Sequence, residues 1–332
     1  MDILYSANGG EILKINNEQQ SKADGELHLE LPDGWMSDPA TAKFHLPATD
    51  PDTVTFSVHP TSLSADATYK IKAVARSGNF EFSEGVQQVG YPGMRPYYYY
   101  HPATYRARGI DVKVAPGLKV GYIMGTGDDV PQALEQIDVR PHMLTDDEIL
   151  HGDLSQYNTI VLGIRTYAAR PALAAATQRL LDYVKNGGTV VVEYNSYEYD
   201  HNYGPYPYTL GRSPEKVVDE KSKVAILEPN HPLMTFPNKI TEADFDGWAE
   251  ERGHSFMQSW DPHYTPLTET HDPGQDPQKG GLLYASYGKG AYIYVAYALY
   301  RQMMEAVPGA YRIFANLISA GADHPTGSTQ HQ

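Results

Sequence analysis

Thr159-Ile160-Val161-Leu162-Gly163-Ile164, the helical stretch 172–185, and Thr189-Val190-Val191-Val192-Glu193-Tyr194 decide the fold. The first and third runs are apolar at nearly every position and have the length of strands buried on both faces. Between them, Leu173, Ala176, Leu180, Leu181 and Val184 recur at helical spacing, and Asn186-Gly187-Gly188 ends the helix. A strand, a helix and a second strand in this order predict a parallel sheet with helices against its faces. The pattern extends upstream to Val120-Gly121-Tyr122-Ile123-Met124, which leads into Gly125-Thr126-Gly127-Asp128-Asp129 and a helix starting near Val130. Downstream, Gly281–Ala285 and Ala291–Val295 read as a hairpin closed by Tyr287-Gly288-Lys289-Gly290, followed by a helix over 308–319. The sequence therefore divides into an α/β domain over 114–322, a polar tail over 323–332, and a different module over 1–113.

In that first module short alternating runs replace the helical pattern. Glu26-Leu27-His28-Leu29-Glu30-Leu31, Thr53-Val54-Thr55-Phe56-Ser57-Val58 and Tyr69–Ala75 each place apolar side chains on one face. Pro32-Asp33-Gly34 and Ser77-Gly78-Asn79 supply turns. Regularly spaced strands without helices predict an immunoglobulin-like β-sandwich. The turn-rich Tyr91–Pro96 and the four tyrosines 97–100 mark its end.

Composition narrows the function. The chain has 332 residues, no cysteine and a formal net charge of −15, from 41 acidic against 26 basic side chains. Without cysteine there is no disulfide, thiolate nucleophile or zinc–sulfur site. An acidic surface repels phosphates, so neither nucleic acid nor an anionic membrane is an expected partner. No apolar run is long enough for a membrane span. The opening Met1–Ser6 has neither the basic nor the apolar region of a signal peptide. Absence of cysteine fits a periplasmic or extracellular protein. The 26 tyrosines against 8 phenylalanines supply flat amphipathic surface suited to sugar rings or protein partners.

Ligands in parallel α/β sheets bind outside the carboxyl ends of the strands. That rule selects Asp128 and Asp129 after the first strand, Arg165 and Tyr167 after the second, and Glu193 and Asn195 after the third. Asp246, Trp248 and Glu251, in an irregular stretch, are candidates to close over them. The tyrosine-rich run 194–208 leaves the third strand directly and carries Tyr199, Tyr203 and Tyr206 beside Asn and Asp hydrogen-bonders, the composition of a sugar site. Asp128, Glu193, Asp246 and Glu251 are alternatively a general acid and base for a hydrolase; Glu193 could instead form a buried ion pair with Arg165. His201, His254, His263 and His271 occur without the spacing that puts two ligands on one helix face, so no metal or cofactor is expected.

Gly125-Thr126-Gly127-Asp128-Asp129, Gly163–Tyr167, Leu181–Thr189, Ala243–Trp248 and Pro308–Arg312 resemble, in order and spacing, the C-terminal half of large bacterial PIG-L/LmbE-family deacetylase proteins. That half is a β-sandwich followed by a ThuA-like, class I glutamine amidotransferase-like domain of flavodoxin-like fold. The resemblance spans nearly the whole chain and implies a deacetylase domain, or a second copy, as partner. The deacetylase His-Pro-(Asp/Glu)-Asp motif is missing; His231-Pro232-Leu233-Met234 and His59-Pro60-Thr61-Ser62 share only its first two residues. The resemblance also puts a nucleophile on the turn after the third strand, where this chain has Asn195-Ser196 without Gly-x-Cys-x-Gly or Gly-x-Ser-x-Gly. Ser196 would need His201 as its base. The reading that results is a carbohydrate-associated accessory module that is not a glutaminase. A hydrolase using Ser196 and His201 or a carboxylate pair, and a docking or oligomerisation domain, are the alternatives.

Overall fold

The computed structural model describes residues 2–6, 10–15, 22–46, 52–65, 67–91, 93–211 and 215–322. The polar tail 323–332 lies outside them. The chain separates into two units, Met1–Asp111 and Val112–Gln332.

The first unit is a β-sandwich. One sheet runs Asp2–Ser6, Gly10–Ile15, Asp52–His59, Met36–Asp38; the other runs Thr104–Arg108, Thr68–Ser77, Ala23–Glu30, Thr41–Leu46, with Phe80–Phe82 added on Thr68–Ser77. Leu27, Leu29, Phe44, Leu46, Ile71, Ala73 and Ala75 of the second sheet meet Val54 and Phe56 of the first in a single core. The alternation seen in the sequence thus marks the inner faces. A two-stranded ribbon, Glu84–Val89 with Tyr97–Pro102, holds Tyr97 to Tyr100 exposed.

The second unit is built on a seven-stranded sheet. Its strands are β1 (Val120–Ile123), β2 (His142–Met143), β3 (Thr159–Leu162), β4 (Thr189–Glu193), β5 (Tyr264–Pro266), β6 (Leu282–Tyr287) and β7 (Gly290–Val295), in the order β2-β1-β3-β4-β7-β6-β5. The pairs from β2 through β7 are parallel, and β6 and β5 continue antiparallel. Every residue of β1, β3, β4 and β7 is buried, which requires cover on both faces. The helices are α1 (Val130–Glu135), α2 (Asp146–His151), α3 (Thr166–Ala169), α4 (Ala172–Lys185), α5 (Pro232–Thr235), α6 (Leu299–Met304) and α7 (Pro308–Ser319). α4 packs on β4 and β7 beside α2, and α7 packs on β3 and β4 beside α6. Leu181, expected in the buried stripe of α4, is only half-buried; Tyr183 is buried instead. Its ring occupies the space a side chain at position 188 would need, with atoms 2.1–2.5 Å from an ideal Cβ there, which accounts for Gly188.

Between β4 and β7 the chain forms three short antiparallel ladders: Tyr208–Thr209 with Ser259–Trp260, Glu215–Val217 with Gly253–Phe256, and Val224–Ile226 with Thr268–Thr270. The hairpin of β6 and β7 turns through Gly288 in the left-handed region, at φ 62. Among the described residues no helix is long and apolar enough to cross a membrane.

Phe56 is fully buried between the two sandwich sheets, whereas Phe80 is 71% exposed. Phe56→Ala is expected to destabilise the sandwich by about 3–5 kcal/mol. Phe80→Ala should stay within about 0.5 kcal/mol of the parent. Denaturant unfolding of both variants checks the pair.

Candidate functional site

From β1 the chain steps outward to β2 and then returns past β1 to β3, so the order reverses between β1 and β3, and the carboxyl ends at such a switch point are where ligands bind in open α/β sheets. Three loops meet there, tied by backbone groups left over when the strands stop. The Thr126 amide donates to the Ile164 carbonyl at 3.1 Å and the Arg165 amide to the Tyr194 carbonyl at 2.9 Å. Asn195 is fully buried; its side chain accepts from the Tyr167 amide at 3.0 Å and donates to the Glu193 carbonyl at 2.9 Å. Both ends of its amide are engaged, so Asn195 positions the rim and is not free to meet a ligand.

Beneath the rim lies a phenol between two carboxyl groups. The Tyr122 hydroxyl is 2.7 Å from Asp128 Oδ1 and 3.0 Å from Glu193 Oε2. A hydroxyl carries one proton and donates to one carboxylate at a time. The other contact becomes a hydrogen bond only when that carboxyl is itself protonated and donates back. Burial, then the neighbouring Asp128 charge, raises the Glu193 pKa well above the ordinary carboxyl range. Burial also raises that of Asp128, but the Val130 amide at the start of α1 donates to its Oδ1 at 3.1 Å and favours its ionised form. The proton therefore rests on Glu193, with Tyr122 donating to Asp128. Gly163 makes room for this arrangement, since an ideal Cβ there would stand 2.7 Å from the Tyr122 hydroxyl and 2.8 Å from Asp128 Oδ2. The Glu193–Arg165 ion pair does not form.

Arg165 instead faces Glu198, with Nη2 3.5 Å from Oε1. Arg165 Nε and Glu198 Oε2 are each buried without a hydrogen-bond partner. Each such atom costs about 1–3 kcal/mol. Arg165 also holds a left-handed backbone, φ 52 and ψ 34, on the strand-to-helix turn from β3 into α3. For a residue other than glycine this is uncommon and of the kind that clusters at functional sites. The sharp turn of the rim is thus at Arg165. Ser196, at φ −90 and ψ −159, is ordinary extended backbone.

No hydrogen bond joins Ser196 to His201 among the described residues; His201 is exposed, with its ring 5.9 Å from that of Tyr203. Tyr199 is fully buried, stacked on Tyr208 at 4.9 Å and on Tyr294 at 5.6 Å, its hydroxyl 2.5 Å from that of Tyr292. It belongs to the core and is closed to ligands. Tyr203 stacks on Tyr167 at 4.3 Å, and both are half-buried. Tyr206 stacks on His263 at 4.3 Å and donates to the Ser286 carbonyl, which places it over β6. The run 194–208 therefore starts at the rim and folds back across the sheet.

The closing segment is also mostly interior. Trp248 is buried, its indole N–H donating to the Asp244 carbonyl at 3.0 Å and its face under the Arg252 guanidinium. Asp246 and Asp129 are exposed, and Glu251 pairs with Arg301 at 3.4 Å. Sequence reasoning missed Tyr122, Tyr197, Glu198 and Tyr300. The only signal for Tyr122 is that it is the one polar tip in an apolar strand, and Glu198 sits inconspicuously in the tyrosine run. The His254 ring lies 5.7 Å from that of Tyr194, which is 5.9 Å from Tyr300; burial lowers the imidazole pKa, and His254 Nδ1 is 2.7 Å from Ser255 Oγ. Among the described residues no three His, Asp or Glu gather as metal ligands. A cavity of about 240 Å³ lies at the opposite end of the sheet, lined by Tyr157, Asn158, Arg179 and Asp182, away from the carboxyl ends of the strands.

Residues 11–78 match the NPCBM-associated, NEW3 domain of alpha-galactosidase. No curated protein matches the chain. Among solved structures, a putative GMP synthase component from Thermoplasma acidophilum aligns at 13% identity and TM-score 0.43, over 62% of this chain and 94% of that one. A cytoplasmic protein from Salmonella typhimurium LT2 aligns at 12% identity and TM-score 0.41, over 73% and 96%. A beta-galactosidase from Rahnella sp. R3 aligns at 15% and TM-score 0.33, over 65% of this chain and 32% of the enzyme.

The buried acid makes stability depend on pH. A carboxyl held above its unfolded pKa of about 4.3 binds more protons folded than unfolded, so stability falls as pH rises from that value through the folded one. Glu193→Gln keeps a donor for the Tyr122 oxygen and cannot ionise. Its melting temperature is expected to fall less than the parent's between about pH 4 and 8, and to exceed it at the upper end. Parallel slopes in calorimetric scans would place the proton elsewhere.

Proposed function

We propose that this chain is a carbohydrate-associated accessory module: a NEW3-type, immunoglobulin-like sandwich followed by a flavodoxin-like domain of the class I glutamine amidotransferase type, without glutaminase activity. The observation that carries the reading is the match of residues 11–78 to a domain described from alpha-galactosidase. It is supported by the order β2-β1-β3-β4-β7, which is the doubly wound arrangement with a ligand crevice at its switch point. The crevice offers a cation, carboxyls and half-buried tyrosine rings, which suit a polyhydroxylated ligand better than an acyl-transfer substrate. The sequence has no cysteine, and among the described residues no hydrogen bond joins Ser196 to a base. The resemblance to PIG-L/LmbE proteins adds a deacetylase domain as the expected neighbour and an extracytoplasmic setting.

One observation favours a hydrolase as second reading: a protonated Glu193 close to an ionised Asp128 is the state an acid and base pair needs. Tyr122 between them argues for a structural role.

The full chain is expected to retain glycans on an array, confirmed by calorimetric titration of soluble oligosaccharides, and to release nothing from glutamine or from aryl glycosides and esters. Retention of no glycan would overturn the accessory-module reading. Turnover abolished by Glu193→Gln would move the assignment to the hydrolase.

A further inference from the structure

We infer that the Arg165–Glu198 pair is the recognition point for a vicinal diol of a neutral pyranose, and that it discriminates against acidic sugars. The inference rests on the carbohydrate-associated reading and gives it a ligand class and two specificity residues.

Each partner of this pair has one polar atom left over: a donor, Arg165 Nε, and an acceptor, Glu198 Oε2, both buried and unbonded. Their mutual contact, 3.5 Å, is at the outer limit of a hydrogen bond. Both side chains nevertheless reach the surface, at 39% and 21% exposure. Separating so long a contact gives up little, and the proposed binding mode turns both unused atoms toward the ligand. A sugar hydroxyl is donor and acceptor at once. Two adjacent hydroxyls accept from the guanidinium and donate to the carboxylate, which completes both groups together. A carboxylate ligand would satisfy Arg165 but set its charge against Glu198, and an ammonium would do the reverse. A neutral diol is the chemistry that fits both.

The surroundings agree. Arg165 is fixed by its left-handed turn and by the hydrogen bond its amide donates to the Tyr194 carbonyl, and Glu198 lies in the short 3-10 turn Tyr197–Tyr199 packed against α3. Tyr197, on the same turn, is 64% exposed and offers a ring face for a pyranose. Tyr167, on α3, stacks on Tyr203 and lies 5.1 Å from the ring of Tyr199 at the end of the same 3-10 turn.

The test compares the full chain with Arg165→Asn and Glu198→Gln. Asn tolerates the left-handed backbone, so the first variant removes the guanidinium without forcing the turn. Glu198→Gln keeps the shape and removes the charge. Calorimetry with neutral oligosaccharides and with the matching oligouronates reads affinity. Tenfold or greater loss for the neutral ligand in Arg165→Asn is expected. In Glu198→Gln the preference for neutral over uronate ligand should shrink at least fivefold. Circular dichroism confirms that both variants are folded; if Arg165→Asn is not, Tyr197→Ala replaces it, with the same loss expected. If the parent binds glycans and the variants bind them equally well with unchanged preference, the diol site is wrong while the accessory-module reading stands. If the parent binds no glycan, both fall.

Discussion

Asn195 and the backbone of Arg165 hold together everything that happens at the carboxyl end of the sheet. Parallel strands end with unpaired amides and carbonyls, and each must find a partner or stay wet. Here the loop after β4 supplies both: the Tyr194 carbonyl takes the Arg165 amide, and the Asn195 side chain bridges the Tyr167 amide and the Glu193 carbonyl. These bonds force Arg165 into its left-handed turn and aim α3 at the 3-10 turn that carries Glu198. Glu193 of β4 reaches Tyr122 of β1 across the intervening β3, at the spacing the parallel ladders set and through the space that Gly163 leaves open. The acid pair beneath the rim follows from the strand ladders, and the ion pair above it from the loops tied at Asn195 and Arg165.

The tyrosine excess has a structural explanation in this unit. A tyrosine in a core needs a partner for its hydroxyl, and the buried ones have it. Tyr208 donates to the Tyr199 carbonyl at 2.5 Å, Tyr294 to the Ser255 carbonyl at 2.6 Å and Tyr297 to Thr268 at 2.9 Å. The long connection between β4 and β7 has little regular secondary structure, so many of its backbone carbonyls lack ladder partners. Phenols supply apolar area and cap those carbonyls together, which phenylalanine cannot do. The tyrosines left half-buried at the rim, Tyr167 and Tyr203, are the residue of this packing that remains open to a ligand.

How much of this was legible follows from how local each signal is. The sandwich strands Asp52–His59 and Thr68–Ser77, together with β1, β3, β4, β7, α4 and α7, are written in short-range periodicity and marked within a residue or two, whereas Ala23–Glu30 starts three residues early and Met36–Asp38, Thr41–Leu46 and Thr104–Arg108 went unread. Tyr199 reads the same whether it faces a sugar or Tyr292, because its partner lies 93 positions away. Trp248 misleads too, because beside the local Phe245 and Arg252 its cover includes Tyr297, from beyond the end of β7. The expected Glu193–Arg165 pair failed on direction. Glu193 ends β4 with its side chain turned toward β1, while Arg165 has already passed into the turn above the strand ends. Opposite charge at neighbouring strand ends does not decide which side of the rim each side chain takes.

The two carboxyl sites at the rim differ in how much they leave for a ligand. Around Glu193 the acid itself is buried and Tyr122 engages both carboxyls, although Asp128 Oδ2 is left without a partner. Around Glu198, the side chain is partly open, its cation partner is at arm's length, and one atom on each is unused. Stability alone would favour closing that contact to a two-pronged pair, which arginine and a carboxylate readily form. Instead the guanidinium stands off at 3.5 Å, on a residue whose backbone is left-handed. A cost borne in both backbone and hydrogen bonding at one residue, at the switch point of the sheet, is better accounted for by what binds there than by the fold it sits on.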